Sequence, residues 1–281
     1  MPNDEFSRFQ QAISQRRLEA YRKRPSDTNI ELLSTYLWNI ALSEALYPVL
    51  HNFEIALRNS FHDAISRSFN ENWLCEADAT ILSSREVDTV NSTIKKLHEK
   101  GKRISTNKLI SELTLGFWVS LTYSNYEDMC RKLFKDKDFL PYLPKNLRTT
   151  DTISKQFTSV NKLRNKIFHH NPIWNHHSPI WKCGLEGEWD KILEAIEWIS
   201  PMLYEHTKHI SRFPDIHDEG YTIYRELLKK TMPDIIDSST SDQSPSKPSN
   251  QTKSSPSPPR LRTPGQPLQR PQRKTDLTGS S

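Results

Sequence analysis

An arginine, a small amide and a histidine fall within six residues, Arg164 to His169, of the run Asn161-Lys162-Leu163-Arg164-Asn165-Lys166-Ile167-Phe168-His169-His170-Asn171-Pro172. Arginine carries a permanent planar charge that matches phosphate oxygens, and histidine takes or gives a proton near neutral pH. Arg164, Asn165 and His169 therefore supply what metal-free cleavage of a phosphodiester needs: a charge against the phosphate, a group to orient it, and a proton carrier. The backbone has to bring the three together.

Ile153, Phe157, Val160, Leu163 and Ile167 recur every three or four residues, the core-facing stripe of an amphipathic helix over 151–170. Asn161, Asn165 and His169 are each four apart and share a second face. On an ideal helix the step from Arg164 to His169 turns through roughly 500°, which leaves the side chains about 140° apart. Pro172 disfavours helical geometry at Asn171, so the helix is expected to end near His169 and His170 and let the imidazoles swing toward the arginine. His170 is either a second proton carrier or a supporting neighbour.

The segment Phe53 to His62 repeats the Leu-Arg-Asn theme, with Glu54 four residues before Arg58. That spacing predicts an ion pair on one helix face, and Glu54, Arg58, Asn59 and His62 are supporting site candidates. Ile110 to Leu121 is mostly apolar around Gly116, which points to close helix packing or a local break. His169, His170, His176 and His177 crowd into nine residues with Cys183 nearby, the rival metal-binding chemistry. Adjacent histidines project to different sides, no carboxylate is interleaved and zinc spacings are absent, so neither a metal nor another cofactor is expected.

Elements that position these residues read as helices almost throughout. Residues 4–22 form a charged helix with Phe6, Phe9, Ile13 and Leu18 as its apolar face. Asp27 or Thr28 is the candidate cap for a helix carrying Ile30, Leu33, Leu37, Ile40 and Leu46. Pro48 either kinks that helix or opens a second one carrying Phe53, Leu57, Phe61 and Ile65. Further helical periods cover 84–99, 105–122, 125–134, 188–209 and 217–230. With few alternating runs and only 7 glycines, the expected architecture is an all-α bundle.

From Ser238 the chain is Ser, Pro, Thr, Gln and basic residues with almost nothing to bury, the composition of a disordered tail. Seven cations and two anions give that tail +5, which equals the surplus of the whole 281-residue chain, so residues 1–237 are formally neutral. The pI of about 9.0 therefore belongs to the tail, and any grip on nucleic acid in the folded part must come from a local patch. Cys75, Cys130 and Cys183 are odd in number and far apart, which points to a reducing cytoplasm rather than a disulfide framework. No apolar run approaches the roughly 20 residues of a membrane span, and no apolar signal core opens the chain.

Three ordered blocks carry a family resemblance: Asn52 to Phe61, Ser111 to Leu121, and Leu163 to Ile173. The chain resembles the Abi-like family of bacterial abortive-infection proteins, which is similar to the HEPN superfamily of helical domains. The resemblance covers roughly residues 25–210, flanked by helical extensions at 1–24 and 211–237 and by the tail at 238–281. It implies a HEPN-like bundle and an R-x4-6-H ribonuclease motif, met here by Arg164 and His169 with Asn165 as the polar residue after the arginine. It further implies an RNA substrate cut by 2′-OH attack, a homodimer whose two motif helices form a composite site, and control by an antitoxin or a phage-derived trigger. Relatives often carry an acidic residue where this chain has Asn171, so the charge beside His169 differs. The alternative implied by the same family is a non-catalytic helical module that binds RNA or protein.

Overall fold

A computed structural model describes residues 5–233, so the tail expected from residue 238 lies outside the described residues. The helices in chain order are α1 (Glu5–Ile13), α2 (Gln15–Glu19), α3 (Asn29–Ser68), α4 (Ser84–Glu99), α5 (Thr106–Glu112) and α6 (Leu115–Ser120). They continue as α7 (Glu127–Leu133), α8 (Thr150–Phe168), α9 (Leu185–Ile199), α10 (Pro201–Ile210), α11 (Phe213–Glu219) and α12 (Thr222–Thr231). There is no strand among the described residues, only an isolated bridge between His177 and Gly184. The fold class is all-α.

Of the two candidate caps, Thr28 is used. Its hydroxyl accepts from the Glu31 N–H while the Glu31 carboxylate accepts from the Thr28 N–H at 2.9 Å, a reciprocal capping box. From that start α3 runs for 40 residues, about 60 Å at 1.5 Å per residue, straight through Pro48. Proline has no N–H, so the carbonyl of Glu44 loses its helical partner, but burial on both sides of the proline holds the helix together. Leu42, Ala45, Leu46, Val49, Leu50, Phe53, Leu57 and Phe61 are all essentially inaccessible to solvent. No described helix is long and apolar enough to cross a membrane, and the mixed burial of α3 fits a central helix wrapped by its neighbours.

Helix α8 lies on this spine. Its buried residues Ile153, Phe157, Val160, Leu163 and Ile167 are the stripe read from the spacing, and Phe157 meets Phe53 of α3 at 5.5 Å and Trp198 of α9 at 6.2 Å. Gly116 lies inside α6, where a Cβ would meet Asn161 of α8 at 3.8 Å. That is ordinary van der Waals contact, so a side chain would fit, and Gly116 marks neither a break nor a forced close approach. The break in that region falls instead at Leu113, whose extended backbone separates α5 from α6. The expected helix at 188–209 likewise divides at Ser200 and Pro201, where the serine hydroxyl caps α10 with proline in its first turn. Both chain extensions join the same body: Phe6 and Leu18 share a core cluster with Ile30, Leu32 and Leu33 of α3 and Leu228 of α12. Phe213 of α11 is buried in the main core.

Candidate active site

Helix α8 ends at Phe168 in a tight C-terminal turn. The N–H of Asn171 bonds to the Lys166 carbonyl and that of His170 to the Ile167 carbonyl, both at 2.9 Å, the double closure of a Schellman motif. The residue at the left-handed position of such a turn is usually glycine; here it is His170, with φ +55°. Two clamps hold the turn from outside. Arg17 of α2 donates to the carbonyls of His169 and His170 at 3.2 and 3.1 Å, satisfying groups that the helix end leaves open. Asn39 of α3, itself buried, accepts from the N–H groups of Ile173 and Trp174 at 2.6 and 3.1 Å, just past Pro172.

Beside this helix end, α3 and α8 enclose a cleft of about 190 Å³ lined by Tyr47, His51, Glu54, Arg58, Arg164 and Phe168 among others. The Arg164 guanidinium lies over the Phe168 ring at 4.2 Å, and a second nitrogen reaches Asn165 Oδ1 at 3.3 Å. Arg164 Nε stands 3.7 Å from a Glu54 carboxylate oxygen, close enough for Coulomb attraction and too far for a hydrogen bond. The Nε groups of both Arg58 and Arg164 are buried without an acceptor. Two guanidinium groups stand against one carboxylate in this cleft, a local surplus of positive charge.

A larger cleft of about 570 Å³ adjoins it, sharing Tyr47 and Phe168 and lined further by Ile40, Pro48, His170 and Ile210. Tyr47 and Phe168 are half exposed and meet at 6.1 Å, so aromatic surface separates the two spaces. At its rim Arg212 pairs with Glu44.

The residues singled out by spacing are distributed as follows. Arg164 and Asn165 come together as expected. His169 is the helix cap; its imidazole is exposed and makes no hydrogen bond or ion pair among the described residues. His170 lines the larger cleft. Neither imidazole contacts Arg164 within one chain, so the expected swing toward the arginine does not occur. The expected Glu54–Arg58 ion pair is also absent: Glu54 turns to Arg164 across the helix interface, and Arg58 stays in the cleft with its Nε unpartnered. Asn59 is exposed and outside the clefts. His62 leaves the site altogether, since its Nδ1 accepts from the Trp73 indole at 3.2 Å under a stacked ring, and burial pushes its imidazole toward the neutral form. His176 is half-buried and likewise held toward neutrality, by burial first and then by Lys166. Arg17, Asn39, Tyr47 and His51 were not legible as site residues. The only local signal was the sequence Tyr47-Pro48 with His51 one turn later, an aromatic and an imidazole on one face.

Fold and site together define an all-α protein with an arginine-lined cleft beside a clamped helix end. The chain belongs to the Abi-like protein family, whose model matches residues 4–175. That match takes in α1 and α2 as well as the cleft and the helix end, beginning earlier than the expected residue 25. No curated protein and no solved structure matches the chain.

Proposed function

We propose that the protein is a metal-independent endoribonuclease of the HEPN type, acting in bacterial abortive infection or as the toxin of a toxin-antitoxin system. The observation that carries this reading is that Arg58 and Arg164 line one cleft with Glu54 as its single carboxylate. A phosphodiester in the cleft offsets the charge of the two guanidinium groups. The 2′-oxygen of the ribose attacks phosphorus, the bond from phosphorus to the 5′-oxygen breaks, and a 2′,3′-cyclic phosphate and a 5′-hydroxyl result. One proton leaves the 2′-OH and one reaches the 5′-oxygen, which is work for His169 and His170. Arg164 and Arg58 offset charge building on the equatorial oxygens, and Asn165 orients the Arg164 fork.

Within one chain the imidazoles do not meet Arg164. That separation supports a homodimer in which α8 of a second copy faces the first, so that histidines of one chain serve the arginines of the other. The exposed apolar residues Ile40, Tyr47, Phe168 and Ile210 around the clefts are surface that such a pairing would cover. The same separation also fits a second reading, a module that grips RNA or protein without cutting.

End-group analysis separates them. Purified protein incubated with RNA is expected to leave cyclic phosphate ends that vanish in Arg164→Ala and in the His169→Ala, His170→Ala double variant, with DNA left intact. Binding of RNA without cyclic ends selects the module, and cleavage that survives all three substitutions contradicts the assignment.

A further inference from the structure

A concentrated positive patch lies away from the arginine cleft. Lys95, Lys96, Lys100, Lys102 and Arg103 fall within nine residues that contain one acid, Glu99. All five cations are exposed and none forms an ion pair or side-chain hydrogen bond among the described residues; Glu112, paired with Lys108, is the carboxylate that Lys100 and Lys102 feel from a distance. The folded part is formally neutral, so a local surplus of this size stands out against it.

Local structure fixes the patch. Helix α4 closes with the N–H of Lys102 on the Leu97 carbonyl at 3.0 Å and that of Gly101 on the His98 carbonyl at 2.9 Å. Gly101 takes φ +64° without strain, so the turn holds Lys100, Lys102 and Arg103 on a rigid corner rather than a loose loop. The helix dipole accounts for a cation or two in the last turn, Lys96 among them. It does not account for three more beyond the helix end. The neighbouring groove of about 350 Å³ carries Asp88 and Glu112 beside Thr89, Ser92, Thr93 and Lys96, so the positive surface is the corner itself and not this groove. Several exposed cations on one corner match the phosphates of a nucleic-acid backbone.

We infer that the corner at the end of α4 is an RNA-backbone docking surface that holds a long substrate while the arginine cleft receives the scissile phosphate. The inference rests on the ribonuclease reading for the identity of the polyanion, not for its existence. Each cation that neutralises a phosphate releases counterions, so three of them contribute about 2 to the slope of log affinity against log salt for single-stranded RNA.

The test is binding of the full-length protein to a 2′-O-methyl RNA of about 20 nucleotides, which has the phosphates but no nucleophile. The triple variant Lys100→Ala, Lys102→Ala, Arg103→Ala is compared with wild type and with the Arg-for-Lys variant Lys100→Arg, Lys102→Arg. Wild type and the Arg variant are expected to share a slope, and the alanine variant to fall about 2 below it. Between 50 and 200 mM salt wild type then loses about 16-fold more affinity than the alanine variant. Cleavage of a dinucleotide, too short to span both places, stays unchanged. An unchanged slope in the alanine variant overturns the inference. So does a variant that loses binding to vesicles of anionic lipid while keeping RNA. If RNA binds through the patch and is never cut, the ribonuclease reading fails and the docking surface stands. If RNA is cut and the slope is insensitive, the reverse holds.

Discussion

His170 sits where a glycine would cost nothing. The chain itself makes the comparison, because the same double closure ends α4 with Gly101 and α8 with His170. A left-handed residue with a Cβ costs about 1 kcal/mol, and such strain persists where the surroundings hold it and the side chain is used. His170→Gly is therefore expected to raise stability by about 1 kcal/mol in urea denaturation while lowering RNA cleavage. A variant that is less stable, or that cuts as well as wild type, removes the argument for this residue. Glu54 gives a second test. It competes with phosphate for Arg164 from 3.7 Å, so Glu54→Gln is expected to tighten binding of a non-cleavable RNA, measured by titration at low salt. Weaker binding would mean that Glu54 serves to hold Arg164 in position.

At the scale of elements, the site depends on a helix end pinned by distant partners. Asn39→Ala leaves the N–H groups of Ile173 and Trp174 without their acceptor in a mostly buried setting, a loss of about 1–3 kcal/mol in urea denaturation. A loss of only about a few tenths of a kcal/mol would show that water replaces the amide. These partners explain what the sequence could and could not say. The helical stripe of α8, its end before Pro172 and the Thr28 cap are local signals, and each is where spacing and capping chemistry put it. Arg164 and Asn165 were legible for the same reason. Glu54 was assigned to Arg58 because four-residue spacing offers a local partner, but a contact between α3 and α8 won. Arg17 and Asn39 act across more than 130 residues of chain, which no local pattern encodes. The single helix through Pro48 was open for a related reason: burial on both sides outweighs one lost bond, and burial is not local. The Ser200-Pro201 start of α10 was missed, because a continuous apolar period across 188–209 masked the cap and the proline.

For the molecule as a whole, half-buried imidazoles tie stability to pH. His62 and His176 both have pKa values lowered from 6.5 by burial. Their unfolded forms bind protons first, so the stability they contribute is full above about 6.5 and is lost as pH falls below it. Protonation of His62 would also remove the acceptor for the Trp73 indole. Urea midpoints are expected to decline from pH 7 to pH 5, above the range where the carboxylates titrate, with a shallower decline in His62→Gln. A midpoint independent of pH in that window would contradict this account of the core.

Charge is distributed with equal economy. A neutral folded part presents an arginine cleft enclosed by α3 and α8 and a basic corner at the end of α4. In the proposed ribonuclease Arg58 and Arg164 together receive the scissile phosphate. The most direct measurement is kcat/KM for cleavage of a defined RNA by Arg164→Ala and Arg58→Ala, each checked for an unchanged thermal melt. Removing one preorganised donor from a developing oxyanion is expected to lower the rate by about 10²–10³-fold in either variant. Folded variants that cut within twofold of wild type would contradict the claim.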